Sequence, residues 1–291
     1  MKESRTDNIL QTGVIVILVL VSIIMVFPLY YTIVISFADP VLYTKTRGMI
    51  FFPSQVSLDA YKYILSTPVI PRSFLNSAFI TAAGTCLSLF VTSTLAYALS
   101  RQRLRGRTII NKAILFTMIF SPGIIPVFLM VKSLGMLDTL WSLIIPVLSS
   151  GWYVILMKSF FGTIPASLEE SALIDGADDL TIFARVVLPL SMPSLAAFGL
   201  FYAVGYWNTY LTAVFYLRNS DLWPIQVIVR NLMDMASGAA SSEVAVELTG
   251  KVPHAQVQMA AVFLAMVPIL MVYPFLQKHF AKGSLQGSIK E

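Results

Sequence analysis

Apolar residues in this chain run in long unbroken stretches, not in the alternations or half-faces of a soluble fold. A helix needs roughly 20 apolar residues to cross the hydrocarbon of a bilayer. Six stretches come close to that length: 13–36, 76–100, 111–131, 140–157, 190–214 and 257–277. The first is longer than the roughly 7–15 residues of a signal-peptide core, and no small-x-small cleavage site precedes Asp39. It reads as a retained helix. The predicted fold class is an all-α membrane protein with about six transmembrane helices.

Basic residues orient these spans. Arg101, Arg103, Arg105 and Arg107 form a dense cluster after the second stretch, and Lys2, Arg5, Lys158, Arg185 and Lys278 fall on the same side of the predicted topology. Positively charged loops stay in the cytosol, so both termini are expected there. The organisation expected is a cytosolic tail over 1–12, a first transmembrane helix over 13–36 and an extracytoplasmic loop over 37–75. A five-helix core over 76–277 follows, carrying a cytosolic segment, 158–189, and an extracytoplasmic loop, 215–256. A cytosolic tail, 278–291, ends the chain.

Composition sharpens this picture. Hydrophobic residues make up 57% of the 291 positions and charged residues 12%, against roughly 25% charged in a soluble domain. The net charge of +5 follows the topology and forms no basic and aromatic stripe for nucleic acid. The single cysteine, Cys86, rules out a disulfide framework and a cysteine-rich metal site; it reads as a buried, inert thiol.

The middles of the six stretches hold no Asp, Glu, Lys, Arg or His. Proton-coupled carriers usually place ionisable relays there, so proton coupling is disfavoured, whereas sodium coupling through carbonyls is not. No catalytic or metal-binding constellation is visible: His254 and His279 lie near stretch ends and outside any metal-binding array. A phosphate loop is also missing. The nearest string, 245–252, has Ala245 where the first glycine is needed and Val252 where Ser or Thr would meet magnesium.

The spans carry uncharged polarity instead. Thr85, Thr92 and Tyr97 on the second stretch, and Tyr202, Tyr206, Trp207 and Asn208 on the fifth, are candidate lining for a polyhydroxylated solute, since aromatic faces and hydroxyls suit sugar rings. Small and hydroxylated residues also glue membrane helices together. Gly84, Gly199 and Gly205 are expected to allow close helix approach, and Pro122, Pro126 and Pro146 to kink their helices.

The segment from Ser167 to Pro189 is the most informative. It reads as two short helices, the first capped by Ser167 and ended by Gly176, the second running over 179–187 after a capping Asp178 or Asp179. Leu168, Ala172, Leu173 and Ile174 give the first helix an apolar face opposite an acidic one. Glu169, Glu170, Asp175, Asp178 and Asp179 are ill-suited to a negative inner leaflet, so the pair suits a groove in another protein.

Here the sequence resembles a family. Glu170-Ser171-Ala172, three residues, Gly176, nine residues, Val186-x-Leu188-Pro189 resembles the Glu-Ala-Ala motif of ATP-binding-cassette importer permeases. Asn76-Ser77, Ala96-Tyr97-Ala98-Leu99-Ser100-Arg101, Trp207-Asn208, Pro224-Ile225-Gln226 and Phe280-Ala281-Lys282-Gly283 are similar to the sugar-importing branch, of maltose permease G and LplC type.

The resemblance implies a type I importer fold (MetI-like) in a bacterial inner membrane, with a coupling helix. It implies a non-catalytic subunit that binds no cofactor itself, with ATP and magnesium on two partner ATPase subunits. The other implied partners are a second, homologous permease and an extracytoplasmic solute-binding protein. The ATPase-coupling residues would be Glu169, Glu170, Ser171, Ala172, Asp175, Gly176, Leu188 and Pro189. Ala236, Ser237, Gly238, Glu243 and Glu247 would reach the binding protein. Oligosaccharides are the implied cargo, including acidic polysaccharide fragments, with Arg72 and Lys132 near the expected outer mouth. A sodium-coupled carrier and a non-transporting scaffold or receptor are the rival readings.

Overall fold

A computed structural model of the chain describes residues 5–52, 55–236 and 252–287. The order of helices is α1 (Arg5–Ser36), α2 (Pro40–Lys45), α3 (Asp59–Ser66), α4 (Val69–Ser100), α5 (Arg107–Ile119), α6 (Ile124–Ser133) and α7 (Gly151–Phe161). There follow α8 (Ala166–Ile174), α9 (Asp179–Ile182), α10 (Leu188–Leu190), α11 (Met192–Trp207), α12 (Leu211–Tyr216), α13 (Ile225–Ala236) and α14 (His254–Gly287). An isolated antiparallel bridge joins Ala38 and Val56.

Among the described residues, three helices are long and apolar enough to cross a membrane: Leu10–Ser36, Val69–Ser100 and His254–Val272. Three further stretches expected as single helices are broken. The third bends by 117° between α5 and α6, the fourth by 52° between Leu140–Val147 and α7, and the fifth, which starts at an 82° bend between Asp179–Leu190 and α11, is interrupted between α11 and α12. Counting each bent pair as one span gives six. Each bend has proline at or beside it. Pro122 and Gly123, with φ +75° at the glycine, separate α5 from α6. Pro146 lies in a 3₁₀ turn, and Pro189 and Pro193 flank Ser191. Pro122 and Pro146 thus lie at outright breaks where kinks were expected, whereas Pro126 lies within α6.

Helices also occupy stretches read as loops. Within 215–256 lies α13, which buries Ile225, Ile228, Val229 and Leu232 on one face. At 12 residues, and carrying Arg230 and Asp234, this helix is too short to cross a bilayer.

The chain divides into two compact units, Met1–Pro71 with Val229–Val267, and Arg72–Ile228 with Pro268–Glu291. In the first, the spanning part of α1 is wholly exposed, as expected for a helix that is apolar all round. Only its last turn enters a core, of Val34, Ile35, Ala38 and Ile50. The Gln256 side chain donates to the carbonyl of Ala38 at 2.7 Å, and the Tyr61 hydroxyl donates to Ser36 Oγ at 2.7 Å.

In the second unit α4 is the central element. Ser73, Ser77, Ile80, Ser88, Thr92, Ala96 and Leu99 are buried along one stripe, at the spacing of three and four that keeps residues on one helix face. Cys86 lies off that stripe and is exposed, contrary to the expected buried thiol. Gly84 is on the stripe, and a Cβ there would come within 2.7 Å of the Tyr206 ring. Gly199 is tight against Leu89, at 3.2 Å for the same hypothetical atom, but Gly205 has open space around it and permits no close packing.

Candidate functional site

The segment after α7 is built from local rules. α8 starts at Ala166, flanked by Pro165 with no side-chain cap, so Ser167 lies inside the helix instead of capping it. Its C-terminus closes through two reverse bonds: Gly176 N–H donates to the Leu173 carbonyl at 3.0 Å and Ala177 N–H to the Ala172 carbonyl at 2.9 Å. This glycine-terminated cap needs a left-handed residue, and Gly176 has φ +79°. Asp178 then caps α9, its carboxylate accepting from Thr181 N–H at 2.9 Å. Hydrogen bonds from the Thr181 side chain and then from its backbone N–H hold the Asp178 carboxyl below the ordinary carboxylate range. The expected helix over 179–187 is three pieces, α9, a π turn at Phe183–Val187 and α10. Pro189 has no N–H for the carbonyl four residues back, and the widened turn falls where that bond is lost.

The face of α8 differs from the expected split into apolar and acidic halves. Ala172 and Ala177 pack against a core of Ala96, Tyr97, Met157, Phe161, Ile182, Phe183, Val187 and Phe198. Glu169 turns inward and pairs with Arg101, their side chains only 13% and 16% exposed. Leu168, Leu173 and Ile174 instead face outward, beside exposed Glu170, Ser171 and Asp175. The alanines are small enough to fit the core, and a buried guanidinium draws in the one carboxylate within its reach. Leu188 is half-buried against the same core, and Pro189 is exposed.

Arg101, together with Tyr97, forms the other side of this joint. The guanidinium carbon lies 4.7 Å from the centre of the Tyr97 ring, and Nε donates to Ser100 Oγ at 2.9 Å. Burial lowers the Arg101 pKa, Tyr97 opposes that shift, and Arg103 adds to it. Arg103 in turn pairs with Asp179 at an exposed position. Tyr97, a candidate lining residue, is therefore placed beneath Arg101 and against Phe183, ring centres 4.9 Å apart. None of these pairings was legible in the sequence, where the arginines signalled only orientation.

The second region is a cavity of about 600 Å³ lined by Ser121, Gly123, Ser142, Ser150, Tyr153, Phe201, Tyr202, Gly205, Tyr206, Thr209, Thr212 and Tyr216 among others, with no charged residue. Of the candidate lining residues it gathers Tyr202 and Tyr206. Their hydroxyls are held from behind by α4, Tyr202 to Thr92 at 2.7 Å and Tyr206 to Ser88 at 2.8 Å. Thr92 thus supports the wall without lining it. Thr85 is separate, its hydroxyl buried without a hydrogen-bond partner. Trp207 meets Phe74 edge-on, ring centres 5.3 Å apart. Asn208 donates to the Val204 carbonyl at 2.9 Å and accepts from Gln226. Tyr153 and Phe201 line the cavity too, their rings parallel with centres 6.2 Å apart; both were hidden in apolar runs.

Arg72, considered for an acidic solute, is paired with Asp221, whose backbone carbonyl also accepts from Asn76. Lys132 is exposed in the last turn of α6. Ala236 ends α13, while Ser237, Gly238, Glu243 and Glu247 lie outside the described residues.

A family model described as "Binding-protein-dependent transport system inner membrane component" matches residues 88–285. The chain belongs to this family. It is a multi-pass membrane permease component of ATP-binding-cassette importers, with the helical fold expected of one. The permease is 48% identical over 273 residues to the polygalacturonan/rhamnogalacturonan transport system permease protein YtcP of Bacillus subtilis, covering 94% of this chain and 95% of that one. It is 43% identical over 270 residues to Protein LplC of the same organism, covering 93% and 91%. Among solved structures it matches a bacterial ABC transporter involved in the import of the acidic polysaccharide alginate, with TM-score 0.88 and 32% identity, covering 96% of this chain and 99% of that one.

Proposed function

We propose that this permease forms half of the path of an ATP-driven, binding-protein-dependent importer of oligosaccharides, with fragments of acidic plant polysaccharide as its cargo. The observation that carries the cargo is the 48% identity, over nearly the whole of both chains, to a polygalacturonan/rhamnogalacturonan permease. The cavity suits such a cargo in its rings and hydroxyls. Its described lining holds no cation, and we assign charge selection to other components.

In this reading α8 and the Arg101–Arg107 loop face the cytosol, as do both termini. Two ATPase subunits bind ATP and magnesium, and one of them receives α8. Glu170, Ser171, Asp175 and the exposed Leu173 and Ile174 form its contact surface, with Gly176 setting the turn and Leu188 and Pro189 the step into α11. Ala172 and Glu169 hold the helix to its own chain. A second permease completes the path, and the solute-binding protein docks on the opposite side, against the region from Ala236 through Ser237, Gly238, Glu243 and Glu247.

The test is uptake of galacturonide oligomers by proteoliposomes containing the full importer. Accumulation that requires both ATP and the binding protein is expected. Accumulation driven by a sodium gradient without nucleotide would overturn the proposal.

A further inference from the structure

We propose that Arg101 is the positioning residue through which α8 moves the cavity wall, by way of α4. The inference rests on the function proposed above. The covalent links of α8 are turns: Gly162–Pro165 joins it to α7, and Gly176–Asp178 to α9. Turns transmit displacement poorly. The through-space contact is firmer. Glu169, in the first turn of α8, pairs with Arg101 just beyond the end of α4, and both side chains are largely buried. Solvent and salt screen such a pair far less than a surface one.

Arg101 is itself immobilised. The Tyr97 ring lies under its guanidinium, Ser100 Oγ accepts from Nε, and Glu169 takes Nη1. The side chain therefore acts as an extension of α4 and not as a flexible tether. From there α4 is bonded to α11 at two levels, Thr92 to Tyr202 and Ser88 to Tyr206. These two tyrosines line the cavity. A displacement of α8 thus reaches the solute path along Glu169, Arg101, α4 and the hydroxyl pairs. Arg103 with Asp179 is a second tie at the same end, but it is exposed and correspondingly weak.

The experiment measures solute moved per ATP hydrolysed in proteoliposomes of the complete importer, with galacturonide oligomers as the probe. Glu169→Gln and Arg101→Ala are each expected to lower that ratio at least fivefold. The swap Arg101→Glu with Glu169→Arg is expected to recover it to within twofold of the unmodified importer. A merely structural role would reduce the yield of assembled complex and leave the ratio unmoved. Arg101→Lys keeps the charge and loses the planar fork, and is expected to lower the ratio two- to threefold. It decides the matter where the harsher variants do not assemble. A ratio unchanged in Arg101→Lys and Glu169→Gln, or a swap no better than its parents, overturns the joint. An unmodified importer with no ATP-dependent uptake instead overturns the proposed function.

Discussion

Gly84→Ala probes a close contact between α4 and α11. The added Cβ would sit 2.7 Å from Cε2 and Cζ of Tyr206 and 2.8 Å from Cε1. Carbon atoms in contact rest about 3.5–4.0 Å apart, so the ring must retreat by about 1 Å. It is not free to do so. The Tyr206 hydroxyl is bonded to Ser88 at 2.8 Å and lies 3.4 Å from the carbonyl oxygen of Ile144. Retreat either breaks these contacts or parts the two helices. Overpacking of this kind costs about 1–3 kcal/mol and a lost buried hydrogen bond about 1, so the variant should lose roughly 2–4 kcal/mol. Thermal unfolding of the purified importer should fall by several degrees. The decisive measurement is a double-mutant cycle with Tyr206→Leu, which removes the obstructing ring. Gly84→Ala should then cost little, giving a coupling of about 2–4 kcal/mol. An equal cost in both backgrounds, or none in the first, refutes the contact.

Substitutions at Gly176 should rank by backbone conformation alone, because a Cβ there meets nothing within 4 Å. Gly176→Asn should retain most ATPase stimulation by the loaded binding protein, Gly176→Ala less and Gly176→Val least, with roughly 1–2 kcal/mol of strain for a residue forced left-handed. Equal behaviour of Asn and Val would show that the left-handed turn does not matter. Arg72→Ala should change stability by less than about 1 kcal/mol, since its pair with Asp221 is exposed; a larger loss in thermal unfolding would contradict this. Asp178 has a folded-state pKa below its unfolded one, so its cap stabilises above the unfolded value and is lost as pH falls through the folded one. Hydrogen exchange at Thr181 N–H should therefore accelerate, beyond the intrinsic rate, only in acid, and Asp178→Ala should abolish that pH dependence.

Much of the plan was legible because membrane burial imposes a crude rule. The stretches 13–36, 76–100 and 257–277 announced continuous helices by length alone. Gly176 was legible for a different reason, since a helix stopping at a glycine implies a left-handed cap. The breaks within 111–131 and 140–157 were not, because hydropathy averages over a turn and cannot separate a kinked helix from two helices. The Glu169–Arg101 pair was invisible because its partners meet only when α4 and α8 are folded together. Ile174 was expected on an apolar face offered to a partner together with Ala172, but it is 86% exposed while Ala172 packs on the chain's own core. The candidate lining residues scattered for a related cause. Thr92 and Tyr97 share α4, but one supports a tyrosine from behind and the other supports an arginine.

The break between α5 and α6 leaves main chain at Ser121 and Gly123 on the cavity surface. Unpaired backbone is tolerated at bilayer depth only when buried in protein or facing a water-filled space. Peptide groups freed at this break therefore require water or a protein partner. A sugar passing here can keep part of its hydration shell and exchange the rest one hydroxyl at a time. On the proposed function, these peptide groups give a sugar a place to trade hydration for protein contacts that a wholly apolar wall would not offer.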